Sequence, residues 1–103
     1  MVRHRYFAHN SLGGRKFEAR IRSAGYFAGA ATWDVGENLG WGAGTEGSPR
    51  QMVDAWMASP THRRVLLDRR FTQIGIAIAA GAPFAGQHQA ATYATEFGRR
   101  SLR

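Results

Sequence analysis

The chain contains no cysteine, so neither a disulfide framework nor a thiolate metal site is available to it. Lysine is nearly absent, Lys16 being the only one, and the positive charge is carried by arginine. Acidic residues number 7 against 14 basic ones, a formal net charge of +7. No apolar run approaches the roughly 20 residues of a membrane-spanning helix. The opening "MVRHRYFAHN" lacks the apolar stretch of a secretory signal. Repeats and low-complexity linkers are missing as well. At 103 residues there is room for one core, so a single domain over 1–103 is expected.

What is present reads as an ordinary globular composition, with 44% hydrophobic and 12% aromatic residues. The arginines are scattered singly and in pairs, and no helix carries a continuous basic stripe. That pattern argues against dedicated nucleic-acid binding and leaves weak adhesion to an anionic polymer as one reading.

Local signals place the elements. Met1 to Ala8 reads as the end of a helix with nothing before it, which predicts that the chain is N-terminally truncated. "GGRKFEARIRSAGY" predicts a helix with Phe17, Ile21 and Ala24 inward and Gly25 as its left-handed stop. In "SPRQMVDAWMAS", Ser48 caps a helix with Pro49 at its first position and Met52, Val53, Trp56 and Met57 on one face. Ser59-Pro60 opens a second, shorter helix through "THRRVLL". The period then changes: Ile74, Ile76 and Ile78 alternate with small residues, as do Tyr93, Thr95 and Phe97 in "ATYATEFG". A turn-rich loop joins these two strands into an antiparallel hairpin, and "ENLGWG" predicts a third strand. The fold class is therefore α+β, a small antiparallel sheet flanked by helices. Phe7, Phe17, Trp33, Trp41, Trp56, Phe71, Tyr93 and Phe97 are the aromatic core candidates.

Chemistry could reside in four histidines and a few carboxylates. His4 and His88 read as surface residues. His9 and His62 lie at predicted helix ends, 53 positions apart, so no local metal motif such as HExxH joins them. Glu37 sits between Gly36 and Asn38 in "DVGENLGWG", just before apolar Leu39 and Trp41, an odd setting for a solvated glutamate.

The succession "YFAHNS", "AGY", "GENLGWG", "AWMASPTHRRVLLDRRFTQIGIAIA" and "YATEFG" resembles the CAP superfamily. This is the cysteine-rich secretory, antigen 5 and pathogenesis-related 1 group (SCP-like), and the likeness is to its short cysteine-free bacterial branch. It implies a three-layer α-β-α sandwich with a central antiparallel sheet, and a cleft lined by His9, Glu37 and His62. In this reading Gly36 lets the backbone turn tightly, Glu37 projects into the cleft and Asn38 ties down the adjoining loop. Two departures stand out. Trp56 leads to Ser59 where larger relatives carry a second glutamate, and the family's first helix is missing before Met1, which would leave an apolar surface bare.

Two imidazoles and a carboxylate suit zinc or another divalent cation, with His9 and His62 as ligands. The same set could be a hydrogen-bonded triad without chemistry, or could activate water with Glu37 as general base. Ser59 and Ser11 read as a helix cap and a turn residue rather than nucleophiles. The resemblance implies a binding module for a small ligand or envelope component, extracellular or at the cell envelope. The alternatives are a metal-dependent hydrolase using the same cleft and a basic adhesion module.

Overall fold

The computed structural model describes residues 16–82 and 89–102. In chain order these form α1 (Phe17–Ser23), β1 (Ala30–Ala43), a 3-10 turn (Gly44–Gly47), α2 (Pro49–Ala58), α3 (Pro60–Leu66), β2 (Gln73–Ala80) and β3 (Ala90–Leu102). The three strands make an antiparallel sheet in the order β1-β3-β2, and β2 and β3 form the expected hairpin. α1 packs on one face, with α2 and α3 on the other, which is the α-β-α layering of an α+β fold.

The helix signals act as their chemistry dictates. α1 stops where Gly25, at φ 87°, takes the left-handed backbone that a side chain disfavours. Ser48 caps α2 by accepting a hydrogen bond from the Gln51 backbone N–H at 3.3 Å, with Pro49 following it. Ser59 occupies the equivalent position before α3, but its hydroxyl makes no backbone cap. It pairs instead with His62 Nδ1 at 2.9 Å.

On the α2–α3 face the core is built around Met52, Trp56 and Tyr93, with Leu66 and Ala91 packed against them. Trp56 and Tyr93 meet edge to face, and each commits its polar atom. Trp56 Nε1 donates to the Leu39 carbonyl at 2.8 Å, and the Tyr93 hydroxyl donates to the Gly47 carbonyl at 2.6 Å. The apolar stripe of α2 is thus Met52 and Trp56, one turn apart, while Val53 turns to solvent. Phe27, which carries no periodicity signal, is buried and stacks on Trp33. Phe7 lies outside the described residues, as do the predicted Met1–Ala8 helix and His4, His9 and His88.

One expectation changes. The strand read from "ENLGWG" runs the full length of β1, so Gly36 sits in mid-strand and makes no tight turn. Its need is for space: a Cβ there would stand 3.0 Å from the Phe71 ring. In β2 the isoleucines alternate with small residues as read, and neither face is buried. Ile74, Ile76 and Ile78 are about three-fifths exposed, and all eight residues of β2 are open to solvent.

Candidate functional site

Successive strand residues point to opposite faces, and in β1 this alternation separates two kinds of chemistry. Gly36, Asn38 and Gly40 face α2 and α3, whereas Val35 and Glu37 face α1. Glu37 is only 5% exposed. Arg20, on the inward side of α1 one position before Ile21, donates from Nη2 to Glu37 Oε2 at 2.6 Å. A buried carboxylate is tolerated only when charge and hydrogen bonds compensate it, and Arg20 supplies both.

The sheet register sets a second carboxyl beside the first. Glu96 on the central strand lies opposite Glu37 on β1 and opposite Gly75 on β2. Burial raises the Glu96 carboxyl from its ordinary 4.5 to about 9; a hydrogen bond with Glu37 and repulsion from its charge add to this, and Arg20 opposes them. Glu96 therefore keeps its proton at neutral pH and donates it towards Glu37. Glu96 Oε2 is buried and has no hydrogen-bond partner among the described residues. On its other flank, a Cβ built at Gly75 meets nothing within 4 Å, so the space beside Glu96 is open.

That space is a cleft of about 590 Å³ between α1 and the β2–β3 half of the sheet. Ile21, Val35 and Ala94 give it apolar walls, and Arg20, Tyr26 and Glu96 add a few polar atoms. Tyr26 closes one side by donating its hydroxyl to Gln73 Oε1 at 2.5 Å.

His62 belongs to the opposite face. Its backbone carbonyl accepts a hydrogen bond from Asn38 Nδ2 at 3.1 Å, and its ring is held by Ser59. The resemblance implied that Asn38 ties down the adjoining loop; its side chain instead anchors α3, 24 positions on. The described contacts pair Glu37 with Arg20 and Glu96, and His62 with Ser59; they do not bring Glu37 and His62 together. His9 lies outside the described residues. Among the described residues no group of three or more histidines and carboxylates is close enough to hold a metal ion.

Arg20 and Glu96 are the residues that sequence reasoning passed over. Glu96 carried a usable signal, an acidic residue between Thr95 and Phe97 inside an apolar alternating strand, where a charge needs compensation. The identity of its partner depends on strand register, which no local pattern encodes.

The family model for CAP, the cysteine-rich secretory protein family, matches residues 1–93. No curated protein matches the chain. Among solved structures, an outer surface protein from Borrelia burgdorferi is similar, with a TM-score of 0.72 and 22% sequence identity. The alignment covers 96% of this chain and 64% of that one, so this chain spans less than two thirds of the neighbour's length. At that identity the likeness concerns the fold.

Proposed function

The chain belongs to the CAP family, and from that premise we propose that it is a non-catalytic binding module. In this reading it acts at the cell envelope or outside the cell and seats a small ligand in the cleft beside α1. The observation that carries the reading is the cleft itself, about 590 Å³ with apolar walls and few polar groups, as small-molecule sites are built. The envelope setting draws on the family and on the outer surface protein that shares the fold.

The divalent-ion reading requires His9, Glu37 and His62 to converge. Of the two described members, Glu37 already has a guanidinium 2.6 Å from its carboxylate, which weakens its pull on a second cation. His62 has Nδ1 engaged by Ser59, leaving Nε2 as its free ligand atom. These residues fit a zinc site poorly, and no hydrolytic step is derived from them.

Titration with the neutral fluorescent probe N-phenyl-1-naphthylamine tests the reading. The expected result is saturable one-to-one binding, weakened about tenfold or more by Gly75→Leu, whose Cβ meets nothing within 4 Å and whose longer side chain takes up space in the cleft. Unsaturable binding, or saturable binding that ignores Gly75→Leu, overturns it. Tight zinc binding lost in His62→Ala would favour the ion instead, and zinc-dependent turnover lost in Glu37→Gln would favour the hydrolase.

A further inference from the structure

The strand order β1-β3-β2 leaves one side of β2 without a neighbouring strand among the described residues. Which backbone groups that side presents follows from the ladder. The Gly81 N–H donates to the Ala90 carbonyl at 2.7 Å, and hydrogen-bonded residues alternate along an antiparallel strand. Gln73, Gly75, Ala77 and Ala79 therefore turn their N–H and C=O groups towards β3, whereas Ile74, Ile76, Ile78 and Ala80 turn theirs outward. The same three isoleucines are about three-fifths exposed, and no charge interrupts Gln73–Ala80. An edge with free ladder groups beside apolar side chains is a template for another strand.

The residues of β2 indicate which strand. Ile74-Gly75-Ile76-Ala77-Ile78 has the same pattern in both directions from Ile76, small at the first neighbours and bulky at the second. We propose that β2 pairs antiparallel with β2 of a second copy about a two-fold axis at Ile76, joining the two sheets into one. Ile76 then lies opposite Ile76 and Ile74 opposite Ile78, all residues whose ladder groups are free. On the other face Gly75 meets Ala77, and two small side chains let the strands close. Sliding the pair by two residues sets Ile74 against Ala80, or Ile78 against Thr72, and loses that match. A helix laid along the edge has no spare ladder groups to exchange with it. Arg70, the last cation before β2, falls near Ala82 of the other copy, so like charges do not meet at the seam. Isologous contacts of this kind close on themselves and stop at the dimer. The six isoleucines expose on the order of 600 Å² of apolar side chain. Lateral pairing covers part of it, which is less than the roughly 1,200–2,000 Å² of tight complexes. The dimer is accordingly weak, with a Kd on the order of 100 µM. It is independent of any cleft ligand.

Sedimentation equilibrium of the full chain tests the pairing. The expected result is a monomer–dimer equilibrium that tightens with added salt, which screens the net charge of +7 on each copy. Ile76→Lys places two ammonium groups together on the axis and should weaken the dimer about tenfold or more, with far-ultraviolet dichroism unchanged. The chain has no cysteine, so introduced thiols report the register. A hydrogen-bonded pair has its Cα atoms about 5.5 Å apart, within reach of a disulfide. In a glutathione redox buffer Ile76→Cys should yield a covalent dimer and Ile74→Cys alone little. Ile74→Cys combined with Ile78→Cys should yield it again. If Ile76→Lys fails to fold, the thiol series decides alone. A monomer at every concentration up to about 1 mM overturns the proposal. So does a dimer that ignores Ile76→Lys, or one in which Ile74→Cys cross-links as readily as Ile76→Cys.

Discussion

Glu96 holds its proton far above the ordinary range because its strand and α1 shield it and Glu37 stands opposite. In the unfolded chain it ionises near 4.5, and in the folded protein near 9. Between those values the unfolded chain binds fewer protons, so stability falls as pH rises through the window. The stabilisation is full below about 4.5 and gone above about 9. Asp68, held down at about 2 by hydrogen bonds from Arg70, is ionised in both states across that window and adds no slope. Thermal melts should place the wild-type midpoint lower at pH 9 than at pH 5. Glu96→Gln should flatten this difference, and an unchanged slope in that variant would refute the assignment. Space at single residues is equally testable. A Cβ at Gly42 would sit 2.3 Å from the Glu46 carbonyl oxygen and 2.8 Å from the Gly47 nitrogen, both backbone atoms. Gly42→Ala should therefore cost about 2 kcal/mol or more in denaturant unfolding, whereas Gly75→Ala, facing open space, should stay within about 0.5 kcal/mol.

The elements are held together by a few buried polar ties between helix and sheet. Asn38 is 1% exposed and joins β1 to α3 through the His62 carbonyl. Asn38→Ala should destabilise the fold by about 1–3 kcal/mol and raise amide exchange in α3 before that of β3. Uniform exchange across both elements would show that Asn38 is not the tie. These elements were largely legible in the sequence, because caps and stops are local chemistry: Ser48-Pro49, Ser59-Pro60 and Gly25 each ended or began a helix where expected. The hairpin followed from alternation, and the family from the order of its motifs. What local pattern could not supply was non-local pairing. Glu37 was singled out correctly as an unusual carboxylate, but its described partners, Arg20 and Glu96, lie 17 positions before it in α1 and opposite it on β3. The exposure of the β2 isoleucines was beyond local pattern for the same reason. Alternation shows that a strand has two faces, whereas burial depends on what the rest of the chain lays over them.

For the whole molecule, β2 is the exposed margin of a three-stranded sheet, apolar on one face and without a charged residue over Gln73–Ala80. Unprotected edges of this kind template association. Ile76→Lys should reduce concentration-dependent light scattering while changing stability by about 0.5 kcal/mol or less; no change in scattering would show that the edge is not adhesive. The cleft beside α1 is mostly apolar, with Arg20 paired to Glu37 and Arg100 also in its lining. The central claim is that this cleft, and not the α2–α3 face that carries His62, is where the molecule meets its ligand. The most direct test is to follow backbone amide shifts while N-phenyl-1-naphthylamine is added. The account predicts perturbations concentrated at Ile21, Gly75, Ala94 and Glu96. Shifts clustered around His62 and α2, or none at saturating probe, would contradict it.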